Sequence, residues 1–107
     1  LAHRDARRVF SAQTARALRE LLASVVTEGT GHEAAPTEST AAGKTGTAQT
    51  GQFAAGKELK NYWFAGFYPA RNPRYTIVVL QDGQTGPSRT SAAIFARVCD
   101  ALDAAGE

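Results

Sequence analysis

The sequence predicts an α+β fold, a three-stranded antiparallel sheet with an N-terminal and a C-terminal helix. Three observations predict it: apolar residues at helical spacing near both ends, two aromatic and β-branched runs between them, and a segment of Thr, Gly and Ala ahead of those runs. Two helices laid on one sheet give a layered unit with a single core.

The first helix spans about residues 11 to 28. Ala15, Leu18, Leu21, Leu22, Val25 and Val26 recur at spacings of three and four and form one apolar stripe. Ser11 is the expected N-cap, because its hydroxyl can accept from a free backbone N–H of the first turn. Gly29 and Gly31 are expected to stop the helix by taking the left-handed conformation of a C-terminal cap. Residues 29 to 40, with Pro36 and no sustained period, read as a surface connection.

The first strand is expected at about 41 to 49, where small side chains let a backbone or ligand approach closely. Thr50 to Asn61 holds Gly51, Gly56 and several charges, and is expected to be an exposed loop joining two antiparallel strands. The second strand, about 62 to 68, carries Trp63, Phe64, Phe67 and Tyr68, all expected to pack in the core. Pro69 ends it, and a turn over 70 to 74 follows. The third strand, about 75 to 81, contains Thr76, Ile77, Val78 and Val79 and reads as buried on both faces. A last helix over about 89 to 104, capped by Ser88 or Thr90, presents Ile94, Phe95, Val98 and Leu102.

Composition narrows the function. The chain has 107 residues, 43% of them hydrophobic, and a net charge of +2, too small a charge to predict binding to nucleic acid or an anionic membrane. Arg4, Arg7 and Arg8 form a basic cluster that reads as a solvated segment before the helix. His3 and His32 stand without ligand-type neighbours. Cys99 is the single cysteine, so no internal disulfide forms and no metal-ligand pair exists; at helical spacing with Ile94, Val98 and Leu102 it reads as a small packed helix residue. The sequence implies no cofactor or metal. No run of about 18 apolar residues is present, so a membrane anchor is expected outside this chain. The absence of Met and the start at Leu1 lead us to expect a piece of a longer protein.

Gly43-Lys44-Thr45-Gly46-Thr47-Ala48 invites two chemical readings. A phosphate-binding G-x-x-x-x-G-K-T loop fails, because the position of its first glycine holds Glu38 and no strand precedes it. The alternative is the K-T-G element of penicillin-interacting enzymes. A ligand with a terminal carboxylate needs a fixed cation and a hydroxyl donor. On a strand Thr45 and Thr47 share a face and Lys44 lies on the other, while Gly46 leaves room for a ligand backbone.

A K-T-G triplet recurs by chance, but here its surroundings add to it. Val25-Val26 with Gly29-Thr30-Gly31, then Ala42-Gly43-Lys44-Thr45-Gly46-Thr47-Ala48-Gln49-Thr50-Gly51, then Trp63-Phe64-Ala65-Gly66-Phe67-Tyr68-Pro69, then Tyr75 to Leu80, together resemble the C-terminal part of the penicillin-binding protein transpeptidase family over nearly the whole chain. The resemblance implies a single partial transpeptidase domain, residues 1–107, from a β-lactamase-like fold. It implies that Lys44, Thr45, Gly46 and Thr47 bind the carboxylate of a D-alanyl-D-alanine stem peptide or a β-lactam, with the Thr47 backbone N–H as an oxyanion-hole donor. It also implies a place at the extracytoplasmic face of the bacterial membrane.

The family's serine nucleophile, with a lysine three residues later, has no counterpart. Ser11, Ser24, Ser39, Ser88 and Ser91 are followed at that distance by Thr14, Thr27, Ala42, Ser91 and Ile94. No S-x-N triplet exists either, since Leu59 and Ala70 stand two positions before Asn61 and Asn72. The chain alone is therefore expected to be inert. The resemblance further implies that the strand at 75 to 80 lacks a sheet neighbour supplied by the rest of the domain, an open edge that favours self-association. Alternatives are a piece of a serine β-lactamase or D,D-carboxypeptidase, a non-catalytic β-lactam sensor, and an unrelated module with a chance K-T-G.

Overall fold

The computed structural model describes residues 5–106; His3 and Arg4 lie outside that range. The elements run α1 (Ala12–Thr27), a 3₁₀ turn at His32–Ala34, β1 (Ala42–Ala54), β2 (Lys57–Tyr68), β3 (Tyr75–Gln84) and α2 (Ser91–Ala104). The sheet order is β1-β2-β3 with both pairings antiparallel, so β1 and β3 are its edges.

Both helix starts rest on a hydroxyl. Ser11 Oγ accepts from Thr14 N at 3.1 Å, and Thr90 Oγ1 from Ala93 N at 3.1 Å, each cap contributing about 1 kcal/mol. The end of α1 departs from expectation, because neither Gly29 nor Gly31 has a positive φ. Instead the chain folds back on the last turn, Gly29 N and Gly31 N both donating to the Val25 carbonyl at 3.1 and 3.0 Å. A Cβ at Gly31 would lie 2.9 Å from Val25 Cγ1 and 3.3 Å from Phe64 Cε2, so close approach rather than backbone handedness requires that glycine. The expected stripe of α1 is also narrower in fact: Val26 is buried, while Leu18 and Leu21 are exposed.

The loop expected over 50 to 61 is a hairpin. β1 and β2 continue to a two-residue turn at Ala55 and Gly56, with φ of 52° and 80°, the primed turn geometry whose twist matches paired strands. Within it, Gln49 faces Lys60 and Phe53 faces Glu58, so Thr50, Gly51 and Gln52 oppose Leu59 alone. Gly51 supplies the left-handed residue of this bulge at φ +74°. Thr50 Oγ1 fixes it, donating to the Leu59 carbonyl at 2.5 Å and accepting from Gln52 N at 3.1 Å.

Directly opposed residues of antiparallel strands project to the same side. Register therefore puts Gly43, Thr45 and Thr47 on one face with Gly66, Phe64 and Tyr62, and with Ile77, Val79 and Gln81 of β3. This is the helix side. Phe64, Tyr68, Val26, Ala34, Ala41, Ala92, Phe95 and Cys99 form its core, and the rings of Phe64 and Phe95 meet with centroids 4.6 Å apart. The other face carries Lys44, Gly46, Trp63, Ala65, Val78 and Leu80. Here two expectations fail: Trp63 is 39% exposed, and β3 is not buried on both faces, since Val78 is 57% and Leu80 45% exposed. Period-two alternation sends these side chains to the side that neither α1 nor α2 covers.

Three polar ties anchor α2. Asp100 accepts from Thr37 N at 2.8 Å and Thr37 Oγ1 at 3.2 Å, Asp103 accepts from the Tyr68 hydroxyl at 2.5 Å, and Ser91 Oγ donates to the Tyr62 carbonyl at 2.8 Å. Burial pushes the Cys99 thiol up to about 12, with the carboxylates of Asp100 and Asp103 adding to it; burial followed by the Asp103 contact raises Tyr68 likewise. A pKa raised by burial means that the neutral forms stabilise the fold. That contribution is complete below the ordinary thiol value of 9.0 and is lost as pH rises toward about 12. Denaturation midpoints measured in urea are expected to fall across this interval, and Cys99 of the native protein to resist iodoacetamide at pH 8 while the unfolded protein reacts; prompt native alkylation would contradict the buried thiol.

Candidate ligand-binding strand

The predicted residues lie together on the free edge of the sheet. Lys44, Gly46 and Thr47 are exposed and Thr45 is half-buried. Lys44 leaves the strand on the Trp63 face, and Thr45 on the helix face, yet their polar ends meet. Lys44 Nζ donates to the Thr45 carbonyl at 3.1 Å and to Thr45 Oγ1 at 3.3 Å. The ammonium group thus bends over the strand's rim, and cation and hydroxyl stand side by side at an unpaired backbone edge.

Three glycines surround this strand for different reasons. A Cβ at Gly46 would touch Trp63 Cβ at 3.8 Å, an ordinary contact, so packing in the described residues does not demand glycine there. Gly43 and Gly66 are different. They face each other across β1 and β2. A Cβ at Gly43 would lie 2.5 Å from Phe64 Cε1 and 2.7 Å from the Ala65 carbonyl oxygen, and one at Gly66 would collide with the Ala42 carbonyl oxygen. The Phe64 ring fills the space both leave, which sets the position of Lys44 one residue along. Sequence reading did not single out these two, although paired glycines in adjacent strands are a signal of close backbone approach.

The serines with described contacts are engaged in structure. Ser11 caps α1, Ser24 Oγ donates to the Leu21 carbonyl at 2.6 Å, and Ser91 ties α2 to the sheet. No helix among the described residues is long and apolar enough to cross a membrane.

The sequence profile described as "Penicillin binding protein transpeptidase domain" matches residues 2–100. The chain belongs to the penicillin-binding protein transpeptidase domain family. Among its relatives, penicillin-binding protein PbpB of Mycolicibacterium smegmatis is 38% identical over 89% of this chain, and stage V sporulation protein D of Bacillus subtilis 36% identical over 86%. This transpeptidase-domain segment covers 17% and 14% of those proteins. Its fold matches the transpeptidase domain of Burkholderia pseudomallei penicillin-binding protein 3 with a TM-score of 0.76 and 36% identity, covering 92% of this chain and 32% of that one. The transpeptidase domain of the FtsI4 D,D-transpeptidase from Legionella pneumophila gives 0.70 at 32% identity, covering 89% and 36%. Two helices and three antiparallel strands are thus an α+β portion of the transpeptidase domain, spanning about a third of those solved chains.

Proposed function

We propose that this chain is the carboxylate-binding portion of a peptidoglycan D,D-transpeptidase acting at the outer face of a bacterial membrane. Lys44 and the hydroxyls of Thr45 and Thr47 receive the terminal carboxylate of a D-alanyl-D-alanine stem peptide or of a β-lactam. The observation that carries this reading is the Lys44 ammonium 3.3 Å from Thr45 Oγ1 on an exposed edge strand. A charged donor beside a hydroxyl makes the short, strong hydrogen bonds that fix a carboxylate.

An edge strand also offers backbone groups to an extended peptide, so the ligand adds to the sheet alongside β1. Gly46 keeps that approach clear of a side chain. With the ligand so aligned, the Thr47 backbone N–H points at the carbonyl under attack and stabilises the oxyanion as it forms. The attacking serine and its lysine base come from the remainder of the parent domain, which makes the isolated chain inert. The same missing remainder leaves β3 an open edge through which the isolated chain associates with itself.

Fluorescent penicillin tests the assignment. We expect the full-length protein to form a covalent adduct on a serine outside residues 1–107, mapped by peptide mass spectrometry, and the 107-residue chain to stay unlabelled. An adduct on any residue of this chain, or no adduct on the full-length protein, would refute it.

A further inference from the structure

We propose that a second site, separate from β1's binding edge and independent of the function proposed for it, holds a phosphate group. A groove of about 580 Å³ is lined by Arg16, Arg19, Glu20 and Ala23 of α1, by Ser39 and Thr40, and by Ala70 and Arg71 of the β2–β3 turn. Thr40 lies four residues before Lys44, about 13 Å along an extended chain.

Its walls are tied together, because Ala70 N donates to the Thr40 carbonyl at 2.7 Å. Arg16 and Arg19 share a face of α1 at a spacing of three, and Arg71 of the β2–β3 turn lines the same groove. Among the described residues Arg8 is the arginine whose side chain donates a hydrogen bond, to the Phe10 carbonyl; Arg16, Arg19 and Arg71 make no side-chain hydrogen bond to another described residue and can turn their donors to a ligand. Glu20 offsets one of the three charges. What remains matches a phosphate monoester, which carries roughly −1.5 to −2 charges at neutral pH and three acceptor oxygens, and inorganic phosphate stands in for it in solution. Guanidinium forks suit such oxygens, and the Ser39 and Thr40 hydroxyls add donors beyond what a single carboxylate needs.

The test uses the full-length protein and inorganic phosphate, titrated by calorimetry. We expect saturable binding that weakens at least tenfold in an Arg16→Gln, Arg71→Gln double variant, with fluorescent-penicillin labelling unchanged as the control for folding and for the separate site. Vesicles of phosphatidic acid and of phosphatidylcholine, offered to the protein freed of its membrane anchor, distinguish the source: retention on the anionic vesicles that phosphate competes away marks a lipid headgroup, and phosphate binding without vesicle retention marks a soluble phosphate. The proposal is overturned if the wild type shows no saturable phosphate binding, if the double variant binds equally well, if acetate matches phosphate, or if the isolated chain binds phosphate and the full-length protein does not, which would mean that another part of the protein fills the groove.

Discussion

Gly66→Ala is expected to lower stability by about 1–3 kcal/mol, the usual range for forcing an extra carbon into a packed site, and to impair ligand binding at the same time. The new Cβ meets the Ala42 carbonyl oxygen head-on, lies 3.1 Å from Gly43 Cα and 3.1 Å from Phe64 Cε1. Two of those three atoms are backbone, which cannot swing away as a flexible side chain would. β1 must therefore move off β2 next to Lys44, which pairs with Ala65. Gly46→Ala supplies the contrast, since its Cβ meets Trp63 Cβ at 3.8 Å. It should change stability by no more than about 0.5 kcal/mol while still obstructing a ligand laid along the strand. Urea titrations of both variants, paired with penicillin labelling of the full-length protein, read the two effects separately. Equal stability of the two variants would show that the Gly43–Gly66 contact does not hold the strand in place.

Lys44→Ala is expected to reduce penicillin acylation of the full-length protein at least about tenfold, with the fold intact. A hydrogen bond to a charged group contributes about 1.5–3 kcal/mol, which the ligand carboxylate loses with the ammonium. The side chain is exposed and bonds to its neighbour Thr45, so its loss leaves the core untouched. Single-turnover acylation rates against penicillin concentration measure the effect, with unchanged urea midpoints as the control. Labelling within a few-fold of wild type would remove Lys44 from the site.

The fold class and element order were legible because they rest on local patterns: the helical spacing from Leu18 to Val26 and from Ile94 to Leu102, the caps Ser11 and Thr90, and the aromatic and β-branched runs. The hairpin at 50 to 61 was not legible. Ala55 occupies a left-handed turn position that sequence patterns assign to Asn, Asp or Gly, and the bulge at Thr50 to Gln52 breaks the alternation that would mark a strand. Exposure of Trp63, Val78 and Leu80 was missed for another reason: residue type reports a preference for a covered face, and register decides which face. The ties from Asp100 and Asp103 to Thr37 and Tyr68 span 63 and 35 residues and leave no local trace. For the candidate site, Lys44 to Thr47 stood out through their residue types and the family resemblance. Gly43 and Gly66 became visible once the strands were in register.

The Phe64 ring touches the helix layer through Phe95 on one side and occupies the gap beside the binding strand on the other. Under the proposed function, ligand grip and heat tolerance therefore draw on one set of contacts. A variant that escaped a β-lactam by loosening β1 would give up part of its margin against unfolding, and compensating changes would arise in α2, whose Phe95 packs on that ring.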